Sequence, residues 1–521
     1  MTIAARAGTL RSYGRLTSPY ASRMRGRLEL NVAASVLNAL AVIGSSLVAV
    51  PLILDAVGTA GFGAWALGVA IVVYASLADA ALGPAIQRFT AVAKGAGDRA
   101  ATTQLFWTML LAYAIVGLIA LVALRLAAGP LVDLFDLPRR LQPDAEEMFR
   151  TLGFAVAAGL LASGAGHLLA GVERFPALAI SSAAGAVAFV TGVALVVSDH
   201  GLPGLALALV AQQSLVLLAR LWALRGLVRG RAPSLVTRSE FGSMVRFSLP
   251  LQATAIADLL NQQSDKIVVG LTAALVTLGQ LGIGAQFADG GRLVAAAALG
   301  PLISTLAVTA GARDPGLLRE RFTQLHRTWV LGLLGAGLVG VGALGPLIEA
   351  WLGPGHREAA LLGAILVLAT VIGLTTGSGA AYLRAIGTPG LEARYGVLVL
   401  CANVALTIPL ALVAGARGVV LGTLGAYVIG ATWFFTRLSR VVPASPVRDP
   451  RDAVAALATA LAAGGATLLA GWLAVELLPG RTALPFVAGA ALAALGAYAA
   501  TVLGLRPLAR RARRPVDGTA A

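Results

Sequence analysis

Leu82-Gly83-Pro84 recurs in this chain as Leu299-Gly300-Pro301, and Gly129-Pro130-Leu131 recurs as Gly345-Pro346-Leu347. In both cases the second copy follows the first at nearly the same interval. Further along, Gly159, Leu169, Gly201 and Gly204 each meet the same residue type at one constant interval, at Gly373, Leu383, Gly415 and Gly418. One such match means little in a chain with 62 glycines. Matches that keep their order at a near-constant spacing are what a duplicated unit leaves behind, whereas a mere compositional echo would scatter.

The unit that was doubled is predicted to be a membrane bundle. Hydrophobic residues make up 58% of the chain and charged residues 12%, against about 25% charged in a soluble domain. Mean hydropathy is +0.84. Spanning a bilayer takes about 20 apolar residues in a helix. Fourteen stretches meet that length: roughly 32–54, 62–87, 103–128, 151–171, 177–197, 202–222, 247–271, 277–308, 328–348, 359–383, 393–413, 416–436, 453–476 and 484–505. The runs are continuous, whereas barrel strands alternate. The expectation is an all-α polytopic membrane protein of about fourteen transmembrane helices. They form two pseudo-symmetric six-helix lobes and an appended C-terminal pair.

The net charge of +16 raises the question of nucleic acid, and its distribution answers it. With the N-terminus on the cytoplasmic side, the inside segments collect Arg6, Arg11, Arg15, Arg23, Arg25 and Arg27, and the linker and tail add many more. About 31 basic residues fall inside and about six outside. The outer segment near 129–150 is acidic, with Asp133, Asp136, Asp144, Glu146 and Glu147. This is the positive-inside pattern of a multi-pass protein of the cytoplasmic (inner) membrane with both termini cytoplasmic. The excess of arginine also attracts anionic lipid. The single cysteine, Cys401, lies in an apolar run; no disulfide framework exists, and it is expected to be a packed small residue.

The organisation follows. Residues 1–30 read as a basic cytoplasmic leader, with no cleavable signal because the first apolar run has full membrane length. Residues 31–222 are an N-lobe, 223–246 an Arg-rich cytoplasmic linker and 247–437 a C-lobe. Residues 453–505 are two further helices and 506–521 a basic tail. Most glycines are expected to serve close helix packing, with Gly61, Gly63 and Gly68 as examples. The steps Gly83-Pro84 and Gly300-Pro301 are candidates for bends.

Charge at membrane depth is costly and usually faces a cavity or a partner. Asp258, Asn261, Gln262 and Asp265 recur at i, i+3, i+4 and i+7, on one helix face, and Lys266 follows. They read as the polar wall of a central cavity, or as a hydrogen-bonding seam between helices. Asn31, Ser35 and Asn38 form a milder stripe in the matching first helix. Gln286, Asp289 and Arg292 share the next helix, the last two spaced to pair with each other. Asp79 and Arg88 stand in the second helix. His167 reads as a satisfied core residue, and Arg125 as a side chain that reaches toward the interface. Together Asp79, Arg88, Asp258, Asn261, Gln262, Asp265, Lys266, Asp289 and Arg292 are the candidate substrate or ion cavity. There is no phosphate-binding loop of the Walker type and no His/Cys cluster spaced for a metal, so no cofactor, no metal and no catalytic set is expected.

Several stretches carry a resemblance. Val50-Pro51-Leu52-Ile53-Leu54 leads to Val57-Gly58 and then Phe62-Gly63-Ala64-Trp65-Ala66-Leu67; Asp79, Leu82-Gly83-Pro84, Arg88-Phe89 and Gly97-Asp98 follow. In the second half, Asn261-Gln262-Gln263-Ser264-Asp265-Lys266 runs into Ile267-Val268-Val269-Gly270. Over about residues 30–440 the chain resembles the polysaccharide (O-antigen type) lipid-linked oligosaccharide flippases of the multidrug/oligosaccharidyl-lipid/polysaccharide exporter superfamily. The resemblance implies two V-shaped lobes, alternating access, and transport of a polyprenyl-diphosphate-linked glycan coupled to an ion gradient. The implied partners are the bilayer, that lipid-linked glycan and a coupling cation or proton. Two other readings stay open. A cation-coupled drug exporter of the same superfamily would want a more acidic cavity. A membrane glycan polymerase or ligase would want a large outer loop, which this sequence lacks.

Overall fold

The computed structural model describes the backbone of residues 19–511 apart from 229–232, 312–313, 387, 389, 443–449 and 479. Side-chain surroundings are described within 43–501, with short gaps. The leader up to residue 18, part of the 223–246 linker and the tail beyond 511 lie outside the described residues, as does the side chain of Asp258.

The described chain folds into thirteen α-helices, with a short 3₁₀ turn at Gly480–Ala483. In the first half they are α1 (Pro19–Ala75), α2 (Leu77–Gly95), α3 (Arg99–Leu134), α4 (Gln142–Gly171) and α5 (Phe175–Val228). The second half contains α6 (Arg238–Thr272), α7 (Leu275–Gly311), α8 (Pro315–Leu352), α9 (Arg357–Thr375), α10 (Gly377–Ala385) and α11 (Gly390–Val441). The chain ends in α12 (Pro450–Leu477) and α13 (Leu484–Arg511). Nine helices among the described residues are long and apolar enough to cross a membrane.

Two of those nine are hairpins rather than rods. α5 runs through Gly201 (φ 52, ψ −130) and α11 through Gly415 (φ 56, ψ −138). That backbone is open to glycine and strained for any residue with a Cβ. Past the turn each chain folds back on itself. A Cβ on Gly422 would lie 2.7 Å from the Cα of Thr407, and one on Gly192 would lie 2.9 Å from the Cβ of Ala208. Two apolar runs therefore share one continuous element in α5 and again in α11. A third non-helical glycine, Gly58 (φ 67, ψ 177), divides α1. At the candidate bends, Gly83-Pro84 and Gly300-Pro301, α2 and α7 keep helical backbone through both steps. Proline there deletes one backbone hydrogen bond, but only these other glycines take up a backbone that L-residues avoid.

The repeat seen in the sequence is visible in the geometry. Gly201 and its counterpart Gly415 carry the same turn. Asp98 caps α3 by accepting from the Ala101 amide at 2.9 Å, and Asp314 caps α8 by accepting from the Leu317 amide at 3.0 Å. Each thereby satisfies an amide that the first helical turn leaves without a partner. Pro130 and Pro346 lie inside α3 and α8 at the same spacing as those caps.

Packing follows the same plan. In the first half α4 lies against α3 and α5, and α1 against α5; in the second half α9 lies against α8 and α11, and α6 against α11. α12 and α13 pack on α8. The halves touch where α1 meets α7 and where α2 meets α6. A Cβ on Gly63 would stand 2.1 Å from the Leu275 carbonyl oxygen, and a Cβ on Gly279 would stand 2.2 Å from that of Thr59. The contact is reciprocal, because 63 and 279 share the spacing of 59 and 275. Trp351 of α8 ties the same region by donating Nε1–H to the Leu47 carbonyl at 3.0 Å. Cys401 corrects the expectation of a packed cysteine: it is exposed. It lies on α11 beside Val397, Val404 and Ile408, which are also exposed. An apolar thiol suits a surface that faces lipid.

Candidate functional site

Two polar clusters and one large cavity stand inside this apolar frame. The first cluster lies in the second half, among α6, α7, α9 and α11. Asn261, Gln262, Asp265 and Lys266 from α6 meet Asp289 and Arg292 from α7 around a small cavity of about 30 Å³, closed by Thr370, Thr423 and Tyr427. Six of the nine residues singled out from the sequence thus share one site. Asp265 is only 5% exposed. Its Oδ1 accepts from Thr423 Oγ1 at 2.7 Å; Thr423 accepts from Asn403 Nδ2 at 3.2 Å, and Asn403 Oδ1 accepts from Thr407 at 3.1 Å. Asn403 and Thr407 precede the Gly415 turn and Thr423 follows it, so one relay staples the α11 hairpin to α6.

The charges here are shared rather than paired off. Lys266 Nζ donates to Gln263 Oε1 at 3.1 Å and stands 3.9 Å from Asp289 Oδ2. The partner expected for Asp289 was Arg292; the described ion pair is with Lys266. Arg292 Nη2 reaches Thr370 Oγ1 at 3.4 Å, while its Nη1 and the Oδ1 of Asn261 are buried with no hydrogen-bond partner among the described residues. Asn261 is 4% exposed. A buried polar atom without a partner is costly. The cavity it lines exceeds the roughly 10–15 Å³ one water needs, so a water or a small cation would fit.

The second cluster lies in the first half. Asp79 of α2 accepts from Tyr113 of α3 at 2.6 Å and from Ser163 of α4 at 2.7 Å, and it contacts His167 Nε2 of α4 at 3.2 Å. His167 lies directly over Gly83, where a Cβ would meet Nε2 at 2.2 Å. Nearby on α5, Arg220 donates to the Ala162 carbonyl at 2.8 Å and to Ser181 and Ser182 at 3.2 and 3.1 Å. Arg220 is half-buried in the bundle. Tyr113, Ser163 and Thr423 were not singled out from the sequence, since a hydroxyl in an apolar run gives no signal until its partner is known. Arg88 stands apart from both clusters, exposed, 5.8 Å from the Phe89 ring centroid.

The large cavity, about 910 Å³, lies between α1 and the second half. Ile43, Leu47 and Val48 of α1 with Leu347 and Trp351 of α8 give it an apolar wall. Gln262, Gln263, Gln286, Asp289 and Arg292 add polar groups to a lining that also includes Phe287, Leu293 and Val294 of α7. Gln262, Asp289 and Arg292 line both this cavity and the small one. Asp79 and Arg88 line neither. No group of three or more metal-ligating side chains occurs among the described residues.

Long apolar helices, a doubled frame and a cavity between its halves define a polytopic helical membrane protein. Comparison with known proteins then gives the family. The sequence profile described as "Polysaccharide biosynthesis protein" matches residues 30–306, more than half of the chain, and the protein belongs to that family. Three solved structures illustrate the likeness of fold. The lipid II flippase MurJ in an inward closed conformation has a TM-score of 0.66 at 13% identity, covering 92% of this chain and 99% of that one. An inward-facing multidrug resistance MATE family transporter of the MOP superfamily has a TM-score of 0.64 at 15% identity, covering 79% and 99%. A MOP superfamily transporter from Pyrococcus furiosus, described by a reversed polarity of its binding pocket, has a TM-score of 0.53 at 15% identity, covering 78% and 96%. No curated protein sequence matches the chain.

Proposed function

We propose that this protein is a flippase that moves a polyprenyl-diphosphate-linked oligosaccharide across the cytoplasmic membrane by alternating access. In this reading the chain crosses the membrane fourteen times, in two six-helix lobes and a C-terminal pair, with both termini inside. The hairpins of α5 and α11, which hold two apolar runs each, support that count. The observation that carries the function is the cavity of about 910 Å³, whose mainly apolar surface carries polar groups from α6 and α7. A prenyl chain and a diphosphate-linked sugar need both kinds of lining, and Arg292 is the cation within the cavity that would face the diphosphate. Asp289 is the one carboxylate among the described lining residues, and Arg292 offsets it. A drug-cation exporter would call for an acidic surface instead. Asp265, with the unpartnered oxygen of Asn261 beside it, is the group we assign to ion coupling, and Lys266 and Asp289 set the local charge.

The test is transport. In proteoliposomes carrying a fluorescent polyprenyl-diphosphate glycan in the inner leaflet, the wild type is expected to expose the glycan to an externally added lectin. Arg292→Gln is expected to lower the rate at least tenfold, and Arg292→Lys to retain part of it. A tenfold change corresponds to about 1.4 kcal/mol, within the range of one charge-assisted hydrogen bond. Full transport by Arg292→Gln at equal protein level would remove the diphosphate assignment. Transport of lipophilic cations without transport of the glycan would favour the exporter.

A further inference from the structure

A second cavity, of about 480 Å³, opens on the flank of the bundle and shares no lining residue with the central one. Its walls come from both sides of the joint between the halves: Leu82 of α2, Thr108 to Val116 along α3, and Leu235 to Phe241 where the chain enters α6. Leu111 and Ile115 are 48% and 51% exposed, and Leu118, one turn on, is 59% exposed. This face of α3 therefore looks outward, away from the bundle. From Thr108 to Val116 a helix rises about 12 Å, close to the roughly 15 Å hydrocarbon depth of one leaflet. Arg238, exposed at the first turn of α6, lines one end of the groove.

The floor is ordered. The Val236 amide donates to Thr108 Oγ1 at 3.0 Å, which fixes the segment joining the halves against α3. Thr237 and Glu240 then form a reciprocal capping box that starts α6. Glu240, the acid nearest Arg238 in sequence, is engaged by that cap.

We propose that this groove is a binding site for one anionic phospholipid of the leaflet on the linker side, its acyl chain along α3 and its phosphate on Arg238. The apolar depth matches one chain, and the cation at the mouth matches the headgroup. Separation from the central cavity argues for a resident lipid rather than the transported one. The occupant would hold α3 against the start of α6 and so bias how far the two halves separate. This assignment does not depend on what the central cavity carries.

Native mass spectrometry of the full-length protein, titrated with phosphatidylglycerol or phosphatidylcholine, tests it. One phosphatidylglycerol is expected to remain bound under activation that strips phosphatidylcholine. Arg238→Gln is expected to weaken its retention about tenfold, and Ile115→Trp, which fills the groove from the lipid side, to abolish it. Arg225 stacks on Trp222 at 4.1 Å, outside the groove, and Arg225→Gln is expected to change nothing. Because Arg238 is exposed, its variant separates lipid loss from misfolding should Ile115→Trp fail to fold. Equal retention of both lipids, equal effects of the two arginine variants, or a lipid-linked glycan in the groove in place of a phospholipid would each overturn the proposal.

Discussion

Adding one methyl group at Gly63 should separate α1 from α7, and the size of the effect follows from the contact. A Cβ there would stand 2.1 Å from the Leu275 carbonyl oxygen, a backbone atom that cannot rotate away. Ordinary contact begins near 3.4 Å, so the helices must part by about 1 Å. Overpacking of this kind costs about 1–3 kcal/mol, and contact with backbone belongs at the upper end. Alanine returns about 1 kcal/mol of helix propensity, so Gly63→Ala is expected to lose about 2 kcal/mol. Gly279→Ala faces the Thr59 carbonyl at 2.2 Å and is expected to lose the same. The two contacts are one turn apart on one interface, so a single displacement relieves both. The double variant then counts the clash once and the propensity gain twice, giving a loss of about 1 kcal/mol instead of the roughly twofold single loss that additivity requires. Gly340→Ala, with nothing within 4 Å of its Cβ, is the control and is expected to be neutral or slightly stabilising. Denaturation of the purified protein in mixed micelles with rising sodium dodecyl sulfate measures all four. An additive double variant would refute the reciprocal contact.

Asp265→Asn keeps shape and removes charge; it is expected to abolish export at normal membrane levels, and normal export would remove Asp265 from coupling. Asp258, earlier on the same face of α6, is tested by the same substitution and the same export assay. Gly83→Ala places a Cβ 2.2 Å from His167 Nε2 and is expected to break the His167–Asp79 contact with a loss of about 1–3 kcal/mol. His167→Ala in the same chain should restore part of that stability in the micelle assay, and no restoration would place the clash elsewhere. The Glu240 carboxyl is held below its ordinary value chiefly by the Thr237 amide, and also by the Thr237 hydroxyl. The depressed folded value means that the cap stabilises α6 above the ordinary carboxylate range and loses that contribution as pH falls through the folded value. Amide exchange over 238–241 should quicken on acidification relative to Glu240→Gln, and equal pH dependence would refute it.

How much of this was legible in the sequence depends on which interaction fixed each feature. That the chain is built of long apolar helices was legible because apolar length is a local property. The α6 stripe was legible because polar residues at helical spacing in an apolar run leave one face in common, and Asn261, Gln262 and Asp265 of that stripe meet Asp289 and Arg292 at one cavity. The hairpins were legible only as paired apolar runs; their cause, a positive φ at Gly201 and Gly415, belongs to backbone that composition does not reveal. The place of Arg220 was not legible, because the groups that receive it, at Ala162, Ser181 and Ser182, are 38 to 58 residues away in sequence. Asp79 was legible as costly. Its partners Tyr113, Ser163 and His167 come from two other helices, at separations no local pattern encodes.

The two halves preserve their frame and differ in their chemistry, and that difference bears on mechanism. Caps, in-helix prolines, hairpin glycines and the Gly63–Gly279 contact all repeat at nearly one interval. The buried carboxylates do not. At the spacing of Gly63 and Gly279, the counterpart of Asp79 is Ala295 and the counterpart of Asp265 is Ala49. Asp79 is tied to α3 and α4 by hydroxyls and a histidine. Asp265 is tied through Thr423 to the α11 hairpin, next to two cations and an unpartnered amide oxygen. The halves meet where α1 packs on α7 and where α2 packs on α6. In the proposed mechanism the asymmetric charges let only one half respond to an ion. If Asp265 is the responding group, moving the carboxylate to the equivalent place in the first half, by Ala49→Asp with Asp265→Asn, should leave a protein that inserts and does not export. Export by that variant would show that either half can carry the charge, and would refute the assignment of coupling to the α6–α11 cluster.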